Sequence, residues 1–174
     1  GGIVRCDMVA RGVVAAAEEM SVTIWRTSRS TVVREMLDYS TQVFDGQGRA
    51  VAQAARIPVH LNSMSVCLDR IVRDFIPLDQ WHEGDVILTN DPYCGGQHLP
   101  DFVAFKPVFH EGERIGIAAT IVHHIDVGGG AAGGWIGSAR WGSGVTSEAF
   151  WVPKSSSSTT RSWATSTRRR VRYP

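Results

Sequence analysis

The residues able to do chemistry fall in two short clusters. His98 and Asp101 stand three apart in the stretch 90–101, Asn-Asp-Pro-Tyr-Cys-Gly-Gly-Gln-His-Leu-Pro-Asp. His123, His124 and Asp126 stand together just before three consecutive glycines, Gly128, Gly129 and Gly130. Imidazole supplies a neutral nitrogen and carboxylate an anionic oxygen. A mixed set of that kind suits Zn, Mn or Fe and disfavours Cu(I). Such a centre draws ligands from distant parts of a chain, and each cluster holds what the other lacks. Adjacent side chains of a regular strand point to opposite faces. Only one of His123 and His124 therefore reaches a given ion, unless the strand ends between them. Asp126 is either a ligand or an acceptor that orients an imidazole. The competing reading is structural, because proline-flanked Asp and His often build turns and caps. Cys94 reads as a nucleophile or as a small buried thiol, and the thiol is the simpler reading.

Both clusters need strands to hold them. Asp85 to Thr89 leads into the first and Phe102 to Phe105 leads out, so the polar groups lie on a connection between apolar runs. Phe102 to His110 pairs with Arg114 to His124 across Glu111-Gly112-Glu113 as a hairpin. Pro107 marks an edge strand or a bulge within it. Upstream, Thr41 to Phe44 and Arg49 to Ala54 flank Asp45-Gly46, a hairpin turn in which Asp45 is a turn former. A helix capped by Asn62 or Ser63 runs through Val66, Leu68, Ile71, Val72 and Phe75 until Pro77. His60, just before it, either faces a site or is merely structural, the commoner fate. Ile3, Val4, Met8, Val9, Val13, Val14 and Ala17 predict a packing helix over 3–20, closed by Glu18-Glu19. Val22 to Trp25 extends it or forms a short strand. Arg29 and Arg34 meet an anionic ligand or a solvated face, the face being the better account. The glycine-rich stretch 128–137 closes over a ligand or simply connects. The sum is an α+β fold: N-terminal helices packed on mostly antiparallel β-hairpins, as a fragment of a larger domain.

Composition narrows the function classes. The chain has 174 residues, 43% hydrophobic and 20% charged, ordinary for one domain with a sizeable core. All 17 acidic residues lie at or before Glu148, whereas six of the 18 basic ones follow Trp151. Residues 1–151 therefore carry 12 basic and 17 acidic residues, a net of −5 that argues against nucleic-acid binding. No apolar run approaches the ~20 residues that span a bilayer, and no secretory leader is legible. Gly1 in place of Met points to an incomplete N-terminus. Cys6, Cys67 and Cys94 are odd in number and widely spaced, which favours reduced thiols and a cytoplasmic setting. Two parts are expected: 1–151, and a basic Ser/Thr/Arg-rich tail over 152–174. The tail is either disordered or out of frame, and the abrupt change after Trp151 favours the second.

The sequence around these clusters resembles the hydantoinase B/5-oxoprolinase family. The likeness rests on Asp85-Val-Ile-Leu-Thr-Asn-Asp-Pro-Tyr93, Gly95-Gly96, His98-Leu-Pro-Asp101 and His123-His-x-Asp-Val-Gly-Gly129. Upstream, Leu37-Asp-Tyr-Ser40, Phe44-Asp-x-x-Gly-Arg49 and Ile57-Pro-Val-His-Leu-x-Ser-Met64 carry it too. It runs in order over about residues 5–150. Gln97 stands where the family usually has Thr, and the tail lacks the likeness. The resemblance implies the N-terminal fragment of a longer B-type subunit, such as those of ATP-dependent N-methylhydantoinases. A hydantoinase A-type partner subunit or domain would bind ATP and activate a cyclic amide such as a hydantoin or 5-oxoproline. The B-type part would then complete hydrolysis, or carboxylation as in acetone carboxylase-type relatives. A divalent metal is implied on His98, Asp101 and His123, with His124 or Asp126 as a fourth ligand. The isolated fragment is expected to be inactive, or to act only as a scaffold for the partner.

Overall fold

The structure is a computed structural model that describes residues 2–60 and 62–127, together with the backbone of 149–152. It contains α1 (Gly2–Thr27), α2 (Thr31–Arg34), β1 (Tyr39–Asp45), β2 (Ala50–Ala55) and α3 (Ser63–Asp74). These are followed by β3 (Val86–Thr89), β4 (Asp101–His110), β5 (Glu113–His123) and β6 (Ala149–Val152). The strands form one antiparallel sheet in the order β2-β1-β5-β4-β3-β6. An α+β fold of helices on β-hairpins is therefore what the sequence builds. The glycine-rich stretch 128–137 and the tail from 153 lie outside the described residues.

Alternation assigns the two faces of the sheet. Phe44 pairs with Ile117, Gln42 with Ala119 and Ser40 with Ile121. Across the next ladder, Phe105 meets Ala119, Val103 meets Ile121 and Asp101 meets His123. These residues share one face, and α3 covers most of it. Met64, Leu68 and Ile71 recur at helical spacing and, with Cys67, join Phe44, Trp81, Phe105, Ile117 and Ile121 in the core. The core is close-packed aliphatic and aromatic surface up to Ile121. One residue pair further along, at Asp101 and His123, the same face turns polar. The site is thus an extension of the core face, at the end where α3 begins.

The other face receives α1. Its Ala17 carbonyl accepts from Thr41 Oγ1 at 2.7 Å, and Ser21 Oγ accepts from Arg56 Nε at 2.8 Å. The helix runs to Thr27, past the Glu18-Glu19 expected to close it, because glutamates propagate a helix well. Val22 to Trp25 is its last turns and not a strand. Only Ala17 and Ser21 are fully buried, and Ile3, Val4, Met8 and Val9 are exposed. The N-terminal half therefore projects beyond the sheet it was expected to pack on.

The first hairpin forms as its Asp-Gly signal indicates, but the left-handed residue is Gly48 (φ +84°) rather than Gly46. Asp45 is a turn former: its Oδ1 accepts from the amides of Gln47 and Arg49, both at 2.9 Å. Asn62 precedes α3 in a left-handed conformation (φ +63°) without a side-chain cap, and Val66 faces solvent. The bulge expected near Pro107 falls between Val108 and Phe109. Strand β4 is interior, but β3 pairs only with Val103 to Phe105, so Pro107 lies past that ladder.

Candidate metal centre

Asp101 opens β4 and His123 closes β5, and the two are register partners. The Asp101 carboxylate is buried and serves as the anchor of its own loop. Its Oδ2 accepts from the amides of Gln97 (3.1 Å) and His98 (2.8 Å), while its amide donates to the His98 carbonyl. Proline at position 100 suits this tight reversal. Asn90 Nδ2 donates to the Leu99 carbonyl at 3.1 Å and ties the ends of the loop together. Asp91, the other carboxylate of the stretch, caps the 3₁₀ turn Pro92–Cys94 by accepting from the Tyr93 amide. Cys94 is fully buried, and burial first, then the Asp91 charge, pushes its thiol up to about 12. It is a core thiol and not a poised nucleophile.

Three of the sequence candidates come together. His123 Nδ1 lies 2.7 Å from Asp101 Oδ1, and His98 Nδ1 lies 3.5 Å from Asp101 Oδ2. The His98 and His123 rings meet edge to face at 5.7 Å. One ligand atom from each of His98, Asp101 and His123 falls within 4.8 Å of the others. An ionised carboxylate only accepts, so His123 Nδ1 carries the proton of the short bond.

His124 does not join this group. Strand β5 ends between the two histidines, and the His124 amide donates to the Pro100 carbonyl at 2.9 Å. Its ring stands against Phe102 at 4.8 Å, and Phe102 alternates with Asp101 onto the other face. Burial, then the neighbouring His123, lowers its pKa. Asp126 is exposed beyond the strand end, also outside the cluster.

Two residues without an assigned ligand role enter instead. Asp38 precedes β1, whose neighbour is β5, and its Oδ2 lies 3.8 Å from His123 Nδ1. The His123 amide donates to the Asp38 carbonyl at 3.1 Å. His60 is 1% exposed, with Nδ1 3.0 Å from Ser40 Oγ and Nε2 3.5 Å from Asp38 Oδ1. Asp38, His60 and Asp101 form a second set of potential ligand atoms within 4.8 Å. Locally, each shows no more than a place at the polar edge of an apolar run, beside a strand or helix start.

Burial lowers the His60 pKa, while the charges of Asp38 and Asp101 pull it upward and His123 and His98 oppose them. Below the ordinary imidazole value of about 6.5, the unfolded chain gains a proton that folded His60 resists. Stability contributed by neutral His60 is thus present above about pH 6.5 and lost as pH falls through that value. The urea midpoint should drop between pH 7.5 and 5.5, and His60→Gln should shrink the drop. An equal drop in both proteins would remove His60 as its source.

Fold and cluster together define an α+β protein with a candidate divalent-cation centre at one end of its core face. The chain belongs to the hydantoinase B/oxoprolinase family, whose sequence profile matches residues 3–173. It is similar to the 5-oxoprolinase of Dictyostelium discoideum, with 41% identity over 116 residues, covering 67% of this chain and 9% of that one. It is 38% identical over 128 residues to the caprolactamase subunit beta of Pseudomonas jessenii, covering 73% and 22%. The crystal structure of the ATP-dependent caprolactamase from that organism superposes with a TM-score of 0.69 at 34% identity, covering 83% and 25%. The chain spans a quarter or less of the length of these relatives. Among the described residues no helix is long and apolar enough to cross a membrane.

Proposed function

We propose that His98, Asp101 and His123 hold a divalent cation, and that the chain supplies the B-type part of an ATP-dependent hydrolase that opens a cyclic amide. The observation that carries this is the convergence of two imidazoles and a buried carboxylate from a loop and two strand ends. The donor set fits Zn, Mn or Fe, being mixed nitrogen and oxygen without thiolate. A cation held there supplies Lewis-acid polarisation of a carbonyl. Asp101 fixes the backbone that presents His98 and orients the His123 ring. Leu99 and Val103, two residues to either side of Asp101 in the chain, are buried as well. ATP binding falls to a hydantoinase A-type partner, in keeping with a relative that is named as a subunit. Relatives named for oxoproline and caprolactam favour ring opening over carboxylation.

The test uses the full chain and isothermal titration with Mn(II) and Zn(II). Binding is expected, and His98→Ala should weaken it at least about tenfold, as removing a metal-site residue does. The His98 side chain is 45% exposed, so the variant should fold. No heat of binding from either ion, or an unchanged His98→Ala variant, would refute the centre. With an A-type partner, ATP and a lactam, release of phosphate and ring-opened acid is expected. Incorporation of labelled bicarbonate into a ketone would instead assign carboxylation.

A further inference from the structure

A cavity of about 370 Å³ opens between the α1–α2 connection and the end of β5. Ser28, Ser30 and Val33 line one side, and Val122 to Asp126 line the other. His123 thus belongs both to the cavity wall and to the proposed cation set. We propose that this cavity receives the ring of the cyclic amide, and that it selects small uncharged lactams over rings that carry a carboxylate. This rests on the reading of His98, Asp101 and His123 as a cation site.

Size sets the first limit. Small-molecule sites run from about 300 to about 1,000 Å³. A cavity near the lower bound suits a single ring and not a bulky or peptide-like substrate. Its walls set the second limit. Val33, Val122 and Ile125 are apolar, which suits the methylenes of a lactam ring. Ser30 lines the cavity too, and its buried Oγ has no hydrogen-bond partner among the described residues. Turned about its Cα–Cβ bond, that hydroxyl meets a ring amide, which is the partner it lacks. Charge sets the third limit. Among the described residues no lysine or arginine lines the cavity, and its one acidic side chain is Asp126. Arg29 stands between two lining residues in the chain but is itself exposed and outside the wall. A ring carboxylate would therefore leave water beside Asp126 with no lysine or arginine in the wall to pair with it, and that opposes binding. A neutral ring meets no such opposition.

The test loads the full chain with Mn(II), removes the free ion, and follows the proton NMR lines of caprolactam and of 5-oxoproline. Bound Mn(II) broadens the lines of protons held close to it, so binding is read without any turnover. Caprolactam lines should broaden as protein is added. 5-Oxoproline should bind at least about tenfold more weakly, as a charge brought beside a like charge does. Ile125 is 56% exposed and follows the end of β5, so Ile125→Arg should fold. That variant places a cation in the wall and should strengthen 5-oxoproline binding at least about tenfold with Mn(II) still held. Bound Mn(II) with neither ring broadened would overturn the cavity as the place of the ring and leave the cation centre standing. Equal broadening of the two rings, or an Ile125→Arg protein with the wild-type preference, would overturn the selectivity. No bound Mn(II) at all would overturn the cation centre together with this proposal.

Discussion

Asp101→Ala is expected to abolish divalent-cation binding and to lower folding stability by about 3–5 kcal/mol, the cost of breaking a buried charged network. The carboxylate is 1% exposed and receives three hydrogen bonds: from the amides of Gln97 and His98, and from His123 Nδ1. Truncation leaves all three donors facing a void. Each buried donor left unpaired costs about 1–3 kcal/mol. Loss of the amide contacts also frees the loop that presents His98, so two of the three proposed ligands are disturbed at once. Asp101→Asn separates the roles. Its amide oxygen can still accept from the backbone, which should recover part of the urea midpoint. Without the anionic oxygen it should not recover Mn(II) binding. An Asp101→Ala protein that titrates Mn(II) as wild type does would end the ligand assignment. One that keeps its midpoint would end the structural one.

The local half of this site was legible in the sequence. His98 and Asp101 lie three apart at the entry to an apolar run, and His123 lies at the exit of another. A hairpin with a short glycine turn, Gly112, brings those two ends together by its own register. Strand alternation left His124 open as a fourth ligand, because β5 ends between His123 and His124. Asp38 and His60 lie in the family-like blocks, but no spacing marks them as ligands, for a physical reason. Their place depends on β1 lying against β5, a pairing between segments some eighty positions apart that no local pattern encodes. The projecting half of α1 was hidden similarly. Ile3, Val4, Met8 and Val9 have helical spacing whether or not a surface is there to cover them. Periodicity reports what a helix is able to bury, and the sheet's extent decides what it does bury.

The second large effect is expected from a residue with no chemistry of its own. Gly95→Ala should cost about 2–6 kcal/mol, combining left-handed strain of about 1–3 kcal/mol with overpacking of about 1–3 kcal/mol. Gly95 has φ +105°, and a Cβ there would lie 2.8 Å from the Ser63 carbonyl oxygen and 3.2 Å from the Cys67 amide nitrogen. Both atoms are backbone of the first turn of α3, which cannot yield without moving a helix whose Met64, Cys67, Leu68 and Ile71 are core. The loop must move instead. Its contact with that same turn, Gln97 Nε2 on Ser63 Oγ at 3.4 Å, would be lost as it lifts. His98 and Asp101 ride on the displaced segment, so Mn(II) affinity should weaken along with the urea midpoint. Gly96→Ala is the matched control, because its nearest neighbour would be 3.5 Å away, an ordinary contact. That variant should stay within about 1 kcal/mol of the wild type, as unhindered surface changes do. Equal midpoints for the Gly95 and Gly96 variants would show that the loop does not depend on this close approach. Weaker ion binding in the Gly95 variant alone would show that the packing of α3 against one glycine sets the position of a ligand three residues away.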